Sequence, residues 1–474
     1  MVGPFSPLRE VAGQTLVIRQ GKGPEESLER SPIGACIENA DIELIDGQAF
    51  ATVSRRSEGG SRHFGLWNLS PDFGNKEYFF AQDYDLTQPK QSGVPGMFVA
   101  QASTRPCGSD ESLRHLVVLI DKRTGALEVL HDGTNGWARP ITAIGPKGAA
   151  ILLVSDVGGH RIEQFGVDLR GCTLYESAGK IELARFETGS LAIHESFATS
   201  PGRIVWCEPE TRKIEIVDDF QNDATPDVRP RTRIVMIGGR IPHTGAIHEF
   251  GESKSRGTVY MFHGGPTMRW IGWSRRWNPV PYLEMGFRVV QIDPAGSEGF
   301  GASSSAAAWK SWRNIILSAS FLVNRDRELN RPSFTVYAGA SFGGYLALGL
   351  SFETSPDFAV AHCAPTRPSH VYLTSDAHWS WLREWGSENP RRDDLVLPAV
   401  APRTRYLLSH GMRDLTVPYV ESVYTARALA QLGTDVELRL FRDSGHSLGE
   451  PFDRLMWESW VFSRLRRQLE ASAV

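Results

Sequence analysis

From about residue 230 to the C-terminus, short apolar runs alternate with stretches of helical character, and few architectures accommodate that order. Residues 309–329 and 419–433 are typical of helices. Strand–helix–strand order predicts right-handed crossovers and a mostly parallel, doubly wound sheet whose two faces are covered. Ligands bind such sheets at the carboxyl ends of the strands. The runs typical of buried strands are 258–263, 287–293, 334–339, 358–364, 405–411 and 436–441.

The first half of the chain has a different periodicity, with β-branched and alternating runs from about residue 14 to 225. Residues 115–131, 149–169 and 202–219 each contain two strand-like runs joined by a polar turn, which is typical of a hairpin. The spacing of these turns brackets the roughly 40–50 residues of a propeller blade. We therefore predict a β-rich domain over residues 1–225, either a β-propeller or an irregular β-sandwich, and a second domain over 226–474. The polar segment 221–233, with two prolines, is the expected linker.

Composition excludes several classes of protein. The 474 residues carry a net charge of -4 and no dense basic run, so a nucleic-acid partner is not expected. No apolar run approaches the roughly 20 residues of a membrane helix, and the N-terminus has no signal-peptide pattern, so we expect no membrane partner. The five cysteines lack C-x-x-C spacing, which argues against a structural zinc site and favours a reducing, cytoplasmic location. The sequence leaves a homo-oligomer open.

Ser341 is the candidate nucleophile. The segment Gly339-Ala340-Ser341-Phe342-Gly343 follows a strand-like run and precedes a helix-like stretch, as in the G-x-S-x-G nucleophile turn. Glycine is expected on both sides because a side chain there would collide with the tight turn. A serine without a chemical role in a glycine-rich loop is the alternative.

A serine hydroxyl needs a base and an acid, and in this fold they follow it in the order acid, then histidine. Asp414 and His446 lie in loops after the next strand-like runs, so we predict the triad Ser341, Asp414 and His446. Asp414 could instead cap the following helix, and Asp443 is a rival for the acid. With imidazole as base, activity should fall below about pH 6–7.

The segment His263-Gly264-Gly265-Pro266 ends another strand-like run. Paired glycines allow the backbone to approach a substrate, so the N–H groups of Gly265 and Phe342 are the predicted oxyanion hole. His263 is expected to be structural.

These segments together resemble the prolyl oligopeptidase family of serine hydrolases, in particular its acylaminoacyl-peptidase-like branch. The resemblance rests on HGGP at 263–266, GSEGFG at 296–301, GASFGGY at 339–345, HGMRDLTVP at 410–418 and GH at 445–446. It implies an α/β-hydrolase domain behind an N-terminal β-propeller, the same triad, and the same oxyanion donors.

The sequence departs from the family in three places. The β half has only about 210 residues, whereas seven blades need roughly 315, so four or five blades or a reduced cap are expected. Ala295 stands where members have a basic residue, and residues 385–403 are shorter and more irregular. The β half has no convincing Glu-Glu pair for a free amino terminus, which disfavours a dipeptidyl-peptidase.

The predicted function is hydrolysis of an amide bond in a short or modified peptide through an acyl-enzyme. An esterase, thioesterase or deacylase acting on a small metabolite is the alternative, and a hydrolase-like binding protein a weaker one. No metal or organic cofactor is implied. Aromatic side chains could form an apolar substrate pocket or pack the domain interior, and the candidates are Trp270, Trp273, Tyr345 and Trp381.

Overall fold

The structure is a computed structural model in which the chain divides into two compact units, Met1–Glu195 with Arg203–Asp219, and Ser196–Gly202 with Phe220–Val474. It describes residues 36–471 apart from 46–47, 57–61, 69–76, 80, 82–83, 105–113, 143–147, 167, 169, 188, 221–227, 240, 253–254, 309–310 and 377–389.

The described N-terminal strands form four antiparallel, four-stranded sheets, each made from strands consecutive in the chain. The three predicted hairpins are present as β7–β8, β10–β11 and β15–β16. The first two turns are fixed by an aspartate whose carboxylate accepts backbone N–H groups, Asp121 in one and Asp156 in the other. The strands are β1 (Cys36–Ile45), β2 (Gln48–Arg56), β3 (Arg62–Asn68), β4 (Glu77–Phe79), β5 (Tyr84–Gln91), β6 (Met97–Thr104), β7 (His115–Asp121), β8 (Leu127–His131), β9 (Trp137–Thr142), β10 (Gly148–Asp156), β11 (Gly159–Gly166), β12 (Gly171–Ser177), β13 (Lys180–Glu187), β14 (Ser190–Phe197), β15 (Ser200–Cys207) and β16 (Ile214–Asp219).

Consecutive sheets share apolar cores. Phe50 and Leu66 of the first sheet pack with Phe98 of the second, and Val117 of the second packs with Leu152 of the third. A third cluster joins the third and fourth sheets. The alternation of the strands therefore buries side chains against the next sheet in the chain, as the β periodicity predicts.

The second unit is built on one eight-stranded sheet of order β17-β18-β20-β19-β21-β22-β23-β24. All its neighbouring strands are parallel except β17 with β18 and β18 with β20. The predicted mostly parallel sheet is confirmed. The linker prediction is wrong at 231–233, which begin β17, while 221–227 lie outside the described residues. The strands are β17 (Arg231–Ile237), β18 (His243–Phe250), β19 (Thr258–Phe262), β20 (Arg288–Asp293), β21 (Thr335–Ala340), β22 (Phe358–His362), β23 (Arg405–Gly411) and β24 (Val436–Phe441).

Helices cover both faces of this sheet because each buried strand is apolar on both sides. On β19, Tyr260 and Phe262 pack against α3 and α4, whereas Val259 and Met261 pack with α1 and α7. The described helices are α1 (Val280–Glu284), α2 (Gly301–Ala308), α3 (Trp312–Asn330), α4 (Phe342–Thr354), α5 (Pro368–Thr374), α6 (Val420–Gln431) and α7 (Pro451–Ala471), with a short 3₁₀ helix at Pro390–Asp393.

Among the described residues, no helix combines the length and the apolar character needed to cross a bilayer.

Candidate active site

Ser341 occupies the single-residue turn between β21 and α4. Its backbone has φ 55° and ψ -126°, a conformation that a non-glycine residue rarely adopts. The turn is held from both sides, because the Ser341 N–H donates to the carbonyl oxygen of His362 at 2.9 Å and the Ser341 carbonyl accepts from the N–H of Tyr345 at 3.0 Å. The side chain is half-buried at the end of the strand.

The glycines on both sides of this turn have no room for a side chain. A Cβ on Gly343 would lie 2.1 Å from the carbonyl oxygen of Phe262 in β19, and a Cβ on Gly339 would lie 2.3 Å from the carbonyl oxygen of Gly343. Backbone atoms cannot yield as a flexible side chain does, so both positions require glycine if Ser341 is to keep its conformation.

Four neighbouring parallel strands deliver the polar residues to one edge of the sheet. The register pairs Ala340 with His362 and His362 with Ser409, so β21, β22 and β23 end side by side, with β24 next. Ser341 and Cys363 directly follow β21 and β22, and Asp414 and His446 lie in the loops after β23 and β24. The predicted triad residues therefore lie at one edge of the sheet, after β21, β23 and β24.

His446 and Asp414 are directly hydrogen-bonded, with 2.7 Å between Nδ1 of His446 and Oδ2 of Asp414. The other carboxylate oxygen accepts the backbone N–H groups of Thr416, at 3.0 Å, and Val417, at 2.9 Å. Asp414 is 5% exposed. Burial opposes ionisation, but the hydrogen bonds from His410 and His446 outweigh it and lower the pKa of Asp414 to about 2.

His410 is a second partner of the acid that the sequence analysis did not identify. Its Nε2 lies 3.1 Å from Oδ2 of Asp414 and 2.8 Å from the carbonyl oxygen of Val417. Because both neighbours are acceptors, this nitrogen carries the proton, and Nδ1 accepts from the hydroxyl of Ser422 at 2.7 Å. Asp414 is thus oriented by four donors.

His446 is buried on one side and has a raised pKa. Burial lowers the pKa, but neighbouring Cys363 and Asp414 outweigh burial and raise the pKa of His446 to about 10. The acid limit at pH 6–7 stays a prediction, and the raised pKa of His446 would move that limit to higher pH. Cys363 is fully buried and its thiol contacts the His446 carbonyl oxygen, with 3.4 Å between sulfur and oxygen.

The glycine-rich loop after β19 lies beside the serine. A Cβ on Gly264 would be 3.7 Å from the Cβ of Ser341, and Gly265 has φ 119°, where its own Cβ would lie 2.3 Å from the N of Thr267. Position 265 therefore requires glycine if the loop is to keep this shape, whereas the contact at Gly264 is an ordinary one. Phe342 supplies the first N–H of α4, whose amino end favours negative charge.

Asp293, at the end of β20, supports this loop and was not among the predicted site residues. One oxygen accepts the backbone N–H of Trp270 at 2.9 Å, and the other lies 3.0 Å from Nε2 of His248. His263 lies 3.7 Å from the same carboxylate and is buried, with a lowered pKa caused by burial. His263 is therefore structural, as predicted, and the loop is anchored beneath its glycines.

Comparison with known proteins identifies the domain. Residues 273–470 match the model of the prolyl oligopeptidase family. The chain is 27% identical over 228 residues to dipeptidyl-peptidase 5 of Aspergillus fumigatus, and 26% identical over 234 residues to that of Schizosaccharomyces pombe. The C-terminal domain belongs to the prolyl oligopeptidase family. These alignments cover 44% and 45% of this chain but only 31% and 33% of the relatives, so the matched region spans about a third of their length.

Solved structures share the fold over most of the chain. An acylaminoacyl peptidase of Pyrococcus horikoshii superposes with a TM-score of 0.70 at 15% identity, covering 89% of this chain and 69% of that one. A puromycin-hydrolysing peptidase of Mycobacterium tuberculosis gives a TM-score of 0.61 at 16% identity, covering 88% of this chain and 77% of that one.

Within this prolyl oligopeptidase domain, the structure describes the rival acid, Asp443, and one pocket candidate, Tyr345. Asp443 is exposed and its carboxylate accepts from Arg413 at 2.6 Å, away from His446. Tyr345 is 1% exposed, and its hydroxyl donates to the carbonyl oxygen of Asp393 at 2.6 Å. The pocket assignment of Tyr345 is therefore wrong, because its ring packs on Phe342 in the core.

Two of the three tryptophan candidates, Trp270 and Trp273, lie among the described residues. Trp270 is half-buried. Its ring N–H donates to the carbonyl oxygen of Met261 in β19 at 3.2 Å, and this hydrogen bond holds the ring against the sheet. Trp273 is also half-buried. Trp381 lies outside the described residues, as do residues 385–389 of the irregular segment 385–403.

Proposed function

We propose that the chain is a serine hydrolase that cleaves an amide bond in a short or modified peptide. Ser341 is the nucleophile, His446 the general base and Asp414 the orienting acid. The single observation that carries the proposal is the part-buried Asp414–His446 hydrogen bond, 2.7 Å long, formed at the same sheet edge as a serine held at φ 55°. A solvated loop histidine or a simple helix cap would need neither feature.

In the proposed reaction, Nε2 of His446 takes the Ser341 hydroxyl proton as the serine oxygen bonds to the carbonyl carbon of the substrate. The N–H groups of Gly265 and Phe342 stabilise the resulting oxyanion. His446 then gives the proton to the leaving amine as the C–N bond breaks, which leaves an acyl-enzyme. Water, deprotonated by His446, hydrolyses that ester and restores Ser341.

The choice of an amide substrate is supported by the relatives, which are named dipeptidyl-peptidase, acylaminoacyl peptidase and puromycin-hydrolysing peptidase. The triad itself would serve an esterase equally well, because selectivity lies in the pocket rather than in the triad.

For the N-terminal unit we propose a small β-propeller of four blades. Support comes from four four-stranded sheets built in chain order, each sharing an apolar core with the next. An experimental structure in which the first and fourth sheets do not close a ring would reject it. We also propose a cytoplasmic location from the cysteine pattern alone.

The first test is covalent labelling with a fluorophosphonate, which reacts with activated serines. We expect labelling of the native chain and of a Ser303→Ala control, an exposed serine on α2, and no labelling of Ser341→Ala. Labelling that persists in Ser341→Ala, or a folded native chain that resists labelling, would reject Ser341 as the nucleophile.

The second test is a substrate panel of N-acylated peptide amides, free-amine dipeptidyl amides and short acyl esters. We expect the highest kcat/KM on peptide amides, with turnover absent in Ser341→Ala. Turnover confined to the acyl esters would replace the peptidase by the esterase or deacylase.

A further inference from the structure

The edge of the sheet that carries the proposed triad also holds a cysteine. Ligand atoms of Cys363, Asp414 and His446 all lie within 4.8 Å of one another. The three residues come from the loops after β22, β23 and β24, which are adjacent parallel strands, so the cluster is a direct product of strand order. Cys363 is fully buried, and its N–H donates to the carbonyl oxygen of Ser409 at 2.8 Å, which fixes its backbone.

The thiol has no part in acyl transfer by a serine. The acid, the base and the nucleophile are supplied by the other three residues, and an alanine at position 363 would fill the site without adding a donor atom. Instead the chain presents a sulfur, a nitrogen and an oxygen together. A neutral imidazole, a thiolate and a carboxylate are the ligands that Zn²⁺ binds in proteins.

We propose that Cys363, Asp414 and His446 form a binding site for a thiophilic divalent cation, represented by Zn²⁺, and that its occupation inhibits the hydrolase. The binding site stands on the side-chain cluster alone, and only the inhibition rests on the proposed function. The ion is an inhibitor here and not a cofactor of the reaction.

The geometry needs little rearrangement. Zn–N, Zn–O and Zn–S bonds of about 2.0–2.3 Å in a tetrahedron place ligand atoms roughly 3.3–3.8 Å apart. The widest separation in the cluster, at most 4.8 Å, would have to contract by about 1 Å, whereas Nδ1 of His446 and Oδ2 of Asp414, now 2.7 Å apart, would have to separate by about 0.6 Å. A water molecule completes the four ligands. His446 is the outermost of the three, with 27% of its side chain exposed, so it provides the entry for a small ion.

Binding would block the base by a defined proton movement. The Cys363 thiol loses its proton to solvent as the S–Zn bond forms. In the neutral form of His446, Nδ1, which faces Asp414 at 2.7 Å, gives its lone pair to the metal, and its proton moves to Nε2. Nε2 then carries a proton and cannot accept the one from Ser341. Counted from the neutral imidazole, one proton, that of the thiol, is released for each ion bound.

The experiment separates metal binding from catalysis. The full chain is stripped with a chelator, and Cd²⁺ is added as a spectroscopic probe, because a thiolate–cadmium bond gives an ultraviolet charge-transfer band whether or not the enzyme turns over. In parallel, hydrolysis is followed at buffered free Zn²⁺ concentrations. The variants are Cys363→Ser, which keeps a hydroxyl in place of the thiol, and Cys207→Ser, a matched control that removes a different buried free thiol.

We expect a cadmium band in the native chain and in Cys207→Ser, and a loss of that band in Cys363→Ser. The Zn²⁺ concentration for half-inhibition should rise at least about tenfold in Cys363→Ser, with each rate taken relative to the metal-free rate of the same variant. Equal bands or equal inhibition in the native chain and Cys363→Ser would overturn the proposal. A chain that shows the Cys363-dependent band but hydrolyses nothing would retain the metal site while refuting the proposed function.

Discussion

Replacement of Asp414 by asparagine tests the electrostatic role of the acid without changing the size of its side chain. An amide has only one acceptor oxygen, but the carboxylate faces donors on both sides. Two backbone N–H groups approach one oxygen, and His410 and His446 approach the other. Whichever way the amide turns, its NH₂ group must face donors.

The magnitude follows from the pKa of the acid. The environment lowers the pKa of Asp414 from 3.8 to about 2, and about 1.4 kcal/mol per pKa unit makes this roughly 2–3 kcal/mol in favour of the carboxylate. Asparagine cannot use that stabilisation. If its NH₂ group faces His446, the imidazole must carry its proton on Nε2 and cannot accept from Ser341. We therefore expect Asp414→Asn to lower kcat by roughly 10³–10⁴.

The assay is kcat on the best amide substrate, with urea unfolding of the same samples. Asp443→Asn is the matched control, since its carboxylate is paired with Arg413 in solvent and such pairs contribute about 0–1 kcal/mol. That variant should keep near-normal turnover. Near-normal turnover in Asp414→Asn, together with a large loss in Asp443→Asn, would show that the acid is misassigned.

The same variant has a pH signature. Because the folded pKa of Asp414 is lower than the unfolded one, its carboxylate stabilises the fold above about pH 4, and this contribution is lost as the pH falls from 3.8 toward about 2. The difference in unfolding free energy between the native chain and Asp414→Asn should therefore shrink between about pH 4 and pH 2. A difference that stays constant over this range would contradict the assigned environment.

Three further outcomes are expected. Gly343→Ala, whose Cβ would lie 2.1 Å from a backbone oxygen, should abolish fluorophosphonate labelling, while Gly449→Ala, which has open space around it, should not; equal labelling of both would contradict the strained turn. In the presence of a chelator, kcat/KM should rise with pH through a midpoint above 6.5, and Cys363→Ala should move that midpoint to lower pH, because Cys363 raises the pKa of His446; a midpoint unchanged by the substitution would contradict this. Asp293→Asn should lower kcat about tenfold to a hundredfold with little change in KM, because it loosens the oxyanion loop; a change confined to stability would make Asp293 merely structural.

The sequence predicts the strands of the second domain well where a short apolar run corresponds to one strand of the sheet. Residues 405–411 and 436–441 are strands at the predicted bounds. β23 is buried along almost its whole length, whereas β24, at the edge of the sheet, is half-buried and alternates apolar with charged residues. The antiparallel β17 is missed, since much of it is exposed and its arginines resemble a polar linker. Tyr345 is also misassigned, because motif position says nothing of which side of a helix faces the core.

The sequence also predicts only part of the candidate site. Motif spacing suffices to choose Ser341, Asp414 and His446, because each follows a recognisable strand. Cys363 is missed because the loop after its strand carries no motif, and Asp293 is missed because it is the last residue of its strand, just before the GSEGFG motif. Their roles depend on which strands are neighbours in the sheet, and strand order cannot be read from local periodicity. A search of the last residue of each central strand and of the loop after it would have found both.

His362 shows how this sheet edge joins the proposed nucleophile to the proposed base. Its carbonyl oxygen accepts the Ser341 N–H at 2.9 Å, and its ring lies 2.9 Å from the hydroxyl of Ser409 and 3.3 Å from the carbonyl oxygen of His446. Burial, with a smaller contribution from Arg276, holds the pKa of His362 well below 6.5. The ring therefore stays neutral, donating through Nε2 to His446 and accepting at Nδ1 from Ser409. Because one buried residue of β22 bonds both the serine turn and the histidine loop, the strain at Ser341 and the position of His446 depend on a single strand end.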